Sequence, residues 1–163
     1  GSSGTNGTSG SSGSSGLLSL TGTTDNGVIT LNGSAPNGTV ESDLTFASNT
    51  LTINGDLLLK AVSISNQENL DVDTGTETIV TVPIATYDAA FFDYVIKNGT
   101  DLRAGTVYAV HDGTNVEFAE TSTSDLGNTS RVTLSVDISG ADMRLRATAT
   151  SDNWVVKSLV RAI

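Results

Sequence analysis

The chain has 163 residues, only 16% of them charged, with 17 glycines, no cysteine and a formal net charge of −10. That length supports one ordinary core or two small ones, and the acidity, with no cluster of Lys or Arg, argues against a nucleic-acid or bilayer surface as partner. Without cysteine there is no thiolate metal site, disulfide or cysteine nucleophile, and the longest leucine run, Leu57-Leu58-Leu59, stops at Lys60, far short of a membrane span.

Glycine stands at Gly1, Gly4, Gly7, Gly10, Gly13 and Gly16, with only Ser, Thr and Asn between. A strict third-residue glycine is what a collagen-like triple helix needs, because only hydrogen fits at the shared axis. The expectation for residues 1–16 is therefore a Gly-X-Y stalk in which this chain is one of three. A flexible Gly/Ser linker and an appended tag at GSSGSSG are the competing explanations. The tract has no proline, so it would need a clamp downstream. The absence of Met and of a signal peptide at Gly1 suggests a piece of something longer.

From Leu17 to Lys60 short apolar strands alternate with turn signals: Asp25-Asn26-Gly27 before Val28–Leu31, then Asn32-Gly33, then Pro36-Asn37-Gly38 before Thr39-Val40. Leu44 and Phe46, then Leu51 and Ile53, alternate with threonines around Ala47-Ser48-Asn49, which predicts a hairpin with one apolar face. Isolated hairpins are marginal in water. A β-hairpin neck over 17–60, with Leu44, Phe46, Leu51 and Ile53 turned to a threefold axis, buries that face; packing on the chain's own C-terminal domain is the alternative.

Residues 61–163 predict strands at Ala61–Ser65, Thr78–Ile84, Ala90–Lys97, Gly105–His111, Val116–Glu120, Arg131–Ile138, Met143–Thr150 and Trp154–Ile163. Asn98-Gly99, Asp112-Gly113 and Ser151-Asp152-Asn153 are the turns. The segment Thr86–Lys97 fits a short amphipathic helix about as well as a strand, and its aromatic and β-branched residues favour strand. The fold class expected is all-β, ending in a jelly-roll-like sandwich head.

A Gly-X-Y stalk feeding a sandwich is similar in layout to C1q-like proteins. The stretches FFDYVIKNGTDLRAGTVYAVHDG and VTLSVDISGADMRLRATATSDNWVVKSLVRAI resemble the C-terminal domain of virion fibre and other structural proteins of tailed, particularly marine, bacteriophages. The spacer GSSGTNGTSGSSG and the hairpin text LTFASNTLTINGDL resemble what such fibres carry. The resemblance implies a homotrimeric virion appendage with a distal head, on the tail for host contact or on the capsid as decoration. It also implies virion proteins joined through an upstream region and a bacterial surface glycan as partners.

No catalytic, cofactor-binding or metal residue is assigned from the sequence, and the chain is expected not to be an enzyme. His111 beside Asp112 suggests a base with its orienter. Strand neighbours point to opposite faces, however, and Asp112-Gly113 is a turn, so an exposed loop-edge histidine is expected. A glycan-cleaving enzyme would need paired carboxylates, and Asp71 with Asp73 or Asp88 with Asp93 look like surface residues. Asp71, Asp73 and Glu77 surround a glycine turn without EF-hand spacing. Asn6, Asn37, Asn98 and Asn128 open Asn-x-Ser/Thr triplets that turn chemistry explains. Trp154 begins an alternating strand and is expected in the core or a trimer interface. Receptor contacts are expected from Asn98–Ala104 and Glu120–Ser130 at the far end of the head.

Overall fold

The computed structural model describes residues 19–31 and 37–163, and the Gly-X-Y tract and the turn at Asn32-Gly33 lie outside them. Every regular element among the described residues is a strand. The chain divides into two compact units, Gly1–Asn54 and Gly55–Ile163.

The first unit contains β1 (Ser19–Thr21), β2 (Gly27–Leu31), β3 (Asn37–Ala47) and β4 (Thr50–Ile53). β3 is central: β1 runs parallel to it, while β2 and β4 run antiparallel. The β3–β4 turn places Ser48 at φ 48° and Asn49 at φ 64°. Two consecutive left-handed residues match the right-handed twist of the flanking strands, which is why so short a connection closes.

The second unit holds β5 (Leu57–Leu59), β6 (Val62–Val72), β7 (Gly75–Pro83), β8 (Ala89–Asn98), β9 (Asp101–His111), β10 (Val116–Ser122), β11 (Val132–Ser139), β12 (Asp142–Ala149) and β13 (Trp154–Ala162). A six-stranded sheet runs β10-β9-β8-β13-β6-β5 and a three-stranded sheet runs β11-β12-β7. Both are antiparallel throughout, and alternate residues of each meet in one core that includes Phe92, Ile96, Leu145, Val136 and Trp154. Thr86–Lys97 resolves as strand: Ala90, Phe92, Tyr94 and Ile96 point inward from β8, a period of two that a helix would not give.

β8, β9 and β10 follow one another as hairpins and β13 returns beside β8, the 4-1-2-3 order of a single Greek key. A jelly roll uses two Greek keys across eight strands. The observed pairing departs from that expectation because tight turns at Gly99 and Gly140, with φ of 59° and 62°, keep β9 on β8 and β12 on β11. β6 extends to Val72 and β7 begins at Gly75, filling a stretch where sequence pattern showed no strand. Its inward positions Ser63, Ser65, Gln67 and Asn69 are polar, which hides a strand from any search for apolar alternation.

Candidate functional site

The hydrophobic alternation of the β3–β4 hairpin is realised without a cover. Register sets Leu44 opposite Ile53 and Phe46 opposite Leu51, so the four share a face, with Thr45 opposite Thr52 on the other. Phe46 and Leu51 are each 55% exposed and Ile53 41%. A second apolar group surrounds Gly38, which is paired to both Leu20 and Leu31. A Cβ at Gly38 would lie 2.9 Å from Ile29 Cγ2 and 3.2 Å from Leu20 Cδ2, so the missing side chain lets these apolar neighbours close over the strand. Leu20, Ile29 and Leu31 are exposed as well.

The outer face of the six-stranded sheet repeats the theme in the second unit. Register lays Leu57, Ile64, Arg161, Phe91, Tyr108 and Ala119 in one row across all its strands. Arg161 stacks 4.9 Å above the Phe91 ring and pairs with Asp93 at 3.3 Å, and Asp93 also accepts a hydrogen bond from Thr106 Oγ1 at 2.6 Å. Lys157 meets Glu68 at 3.1 Å. These two ion pairs match four of the charges on this face, which also carries Lys97 and Glu117. Leu159, Tyr108 and Val110 remain exposed. Contiguous exposed apolar surface of this kind marks sites of association.

The residues singled out from sequence have structural roles. His111 is half-buried rather than free at a loop edge: its Nδ1 accepts the Gly113 N–H at 3.0 Å, so its Nε2 donates to the Tyr87 carbonyl at 2.7 Å. Asp112 turns away and accepts from the N–H groups of Thr114 and Asn115 and from Asn115 Nδ2. Those bonds, chiefly from Asn115, pull its pKa down to about 2. Glu77 accepts from Asn69 Nδ2 at 2.7 Å and from the Asp73 N–H at 2.9 Å, while Asp73 accepts from the Asn153 N–H at 3.4 Å. These carboxylates fasten the β6–β7 turn. Asp88 and Asp93 lie five positions apart on an extended segment, about 16 Å, too far for a cooperating pair of carboxylates. Trp154 is in the core, with Nε1 donating to Ser151 Oγ at 3.0 Å.

The two segments expected to carry receptor contacts do come together, at the end of the sandwich away from the start of β6. Leu102 and Leu126 exchange backbone hydrogen bonds of 2.8 and 2.9 Å, and Asp101 Oδ1 accepts the Asn128 N–H at 3.0 Å. The Asn98–Ala104 segment is strand apart from the Gly99-Thr100 turn, so only the stretch from Thr123 to Arg131 is a true loop. Beneath it lies a cluster that sequence reasoning missed. The Tyr94 hydroxyl donates to Glu120, Arg103 pairs with Glu120 at 3.5 Å, and the Arg103 guanidinium sits 5.9 Å from the Tyr94 ring. Burial, reinforced by the bond to Glu120, pushes the Tyr94 phenol up to about 12.

No protein-family model and no curated protein matches this chain. Among solved structures, the tailspike protein gp49 of Acinetobacter baumannii bacteriophage Fri1, a capsular polysaccharide depolymerase, is similar over 66% of this chain and 19% of that one, with 14% identity and a TM-score of 0.38. The chain spans about a fifth of that tailspike's length, and a likeness of this degree assigns neither fold nor activity.

Proposed function

We propose that this chain is a structural and adhesive, non-enzymatic subunit of a homotrimeric phage virion fibre, with the second unit as its head and the tail as its place on the particle. The observation that carries this reading is the uncovered apolar face of Leu44, Phe46, Leu51 and Ile53 in a sheet of one layer. It follows a sequence that keeps glycine at every third position from Gly1 to Gly16. A sheet with one dry face needs a second layer, and a Gly-X-Y period supplies a reason for two further copies to be at hand. Three heads on one stalk would turn weak contacts at the Thr123–Arg131 end into firm attachment by raising the effective concentration of the remaining sites.

The chain has no cysteine, so a single introduced thiol reports on copy-to-copy approach without background. Leu51→Cys treated with a short bis-maleimide should yield covalently linked chains. Thr52→Cys, on the opposite face of the hairpin, should yield few. Equal linking at both positions, or none at Leu51→Cys, would contradict the proposed arrangement.

A further inference from the structure

The outer face of β8, β9 and β10 holds a groove beside the ion pairs of the sheet. Register sets two adjacent rows across these strands: Phe91, Tyr108 and Ala119 in one, Ala89, Val110 and Glu117 in the other. Large side chains thus stand next to alanines, and the short alanines leave a hollow of about 370 Å³ between the aromatic rings and the edge strand β10. Its walls reach solvent, since Tyr108 is 44% and Val110 54% exposed. Apart from the Tyr108 hydroxyl and the Glu117 carboxylate, the side chains that line it are apolar.

Glu117 forms no ion pair among the described residues. The cations of the same face are placed or engaged elsewhere. Lys97 stands eight positions from Ala89 along β8, about 26 Å away. Arg161 is held to Asp93 at 3.3 Å, and its guanidinium lies 4.9 Å from the centre of the Phe91 ring. One cation therefore already rests on an aromatic ring of this face, with Asp93 balancing its charge so that it does not repel a second. Tyr108 is the next ring along the row, and Glu117 is a carboxylate within the same hollow. A cation over such a ring is attracted by its negative face, and more strongly where water is partly excluded.

We infer that this groove binds a quaternary ammonium group, with its methyls against Tyr108, Phe91 and Val110 and its charge balanced by Glu117. The lining discriminates among ligands. A primary ammonium brings three N–H donors and a pyranose several hydroxyls, and the groove has one carboxylate and one hydroxyl to meet them. A neutral apolar group would cover the Glu117 carboxylate without balancing it. A quaternary ammonium needs no hydrogen-bond partner and carries its charge on an apolar shell. The groove belongs to the second unit alone and requires neither a trimer nor a virion.

Titrating the isotope-labelled full chain with choline, followed by amide chemical shifts, tests this. Saturable shifts centred on Tyr108, Val110 and Glu117 are expected, with a dissociation constant in roughly the millimolar range. The neutral isostere 3,3-dimethyl-1-butanol should bind about fivefold more weakly or worse, and Tyr108→Leu and Glu117→Gln should each weaken choline by a similar factor. Asp56→Asn removes the same charge just before β5, at the opposite edge of the sheet, and should leave binding unchanged. Phosphocholine identifies the source: binding equal to choline's places a lipid or glycan headgroup in the groove, and weaker binding a free cation. Absence of saturable choline shifts would overturn the inference. So would equal binding of the neutral isostere, or binding unaltered in Glu117→Gln. Shifts of the same amides that follow protein concentration without any probe would also overturn it, by giving the groove to a second copy.

Discussion

Gly105 shows how one missing side chain can organise a buried polar group. A Cβ there would press on the Thr121 carbonyl and lie 2.8 Å from the Tyr94 hydroxyl and 2.9 Å from Ser122 Cα, largely backbone that cannot step aside. Gly105→Ala should therefore destabilise the second unit by roughly 1–3 kcal/mol, the usual range for overpacking, read from denaturant unfolding. The Tyr94 phenol sets an alkaline limit as well. Its pKa is raised in the folded protein, so the stability it contributes is complete below pH about 10 and is lost as pH rises through about 12. An ultraviolet titration should show a tyrosinate step near 12 that vanishes in Tyr94→Phe. Asp112 works in the opposite direction: with its pKa lowered, its hold on the turn persists above the ordinary carboxylate range and fails as pH falls through about 2. The amide resonances of Thr114 and Asn115 should move together there. That β8 is a strand was legible from its aromatic and β-branched residues, but the inward direction of Tyr94 was not, because Phe91 and Val95 make the other face apolar as well. That Arg103 and Glu120 converge on it was not legible either, since each reads locally as an ordinary charge on a half-exposed strand and only the β8-β9-β10 register brings them together.

At the scale of elements, sequence pattern succeeded where one face of a strand is apolar. Val132, Leu134 and Val136 opposite Ala149, Ala147 and Leu145 became β11 and β12 within a residue or so of the expected bounds. It found the start of β6, within Ala61–Ser65, and missed its continuation from Asn66 to Val72, where Gln67 and Asn69 present amides inward. It also left topology open, because the turns at Gly99 and Gly140 fix which strands are neighbours but not the order in which the hairpins assemble. The β3–β4 turn makes its own prediction. Ser48 occupies a left-handed conformation that costs a non-glycine residue about 1–2 kcal/mol. Ser48→Gly should hold or raise the thermal midpoint of the first unit, whereas Ser48→Val, branched at Cβ, should lower it.

For the whole molecule, the distribution of apolar surface matters more than any titratable group. The second unit closes a core of its own, yet one face of the β3–β4 hairpin stays apolar and uncovered, and the outer face of the larger sheet exposes Leu159, Tyr108 and Val110 among its charges. Phe46 and Leu51 are therefore expected to act through association rather than through the fold of one chain. Phe46→Asp combined with Leu51→Asp should disperse an assembly while the near-ultraviolet signal of the buried Trp154 persists. The decisive measurement is the mass of the full chain in solution at micromolar concentration, by light scattering or native mass spectrometry. A homotrimer gives about 50 kDa, three times the chain's 16.7 kDa, falling toward the single-chain mass in the double aspartate variant. A species of 16.7 kDa for the unaltered chain, unchanged on concentration, would contradict the trimeric fibre at its root.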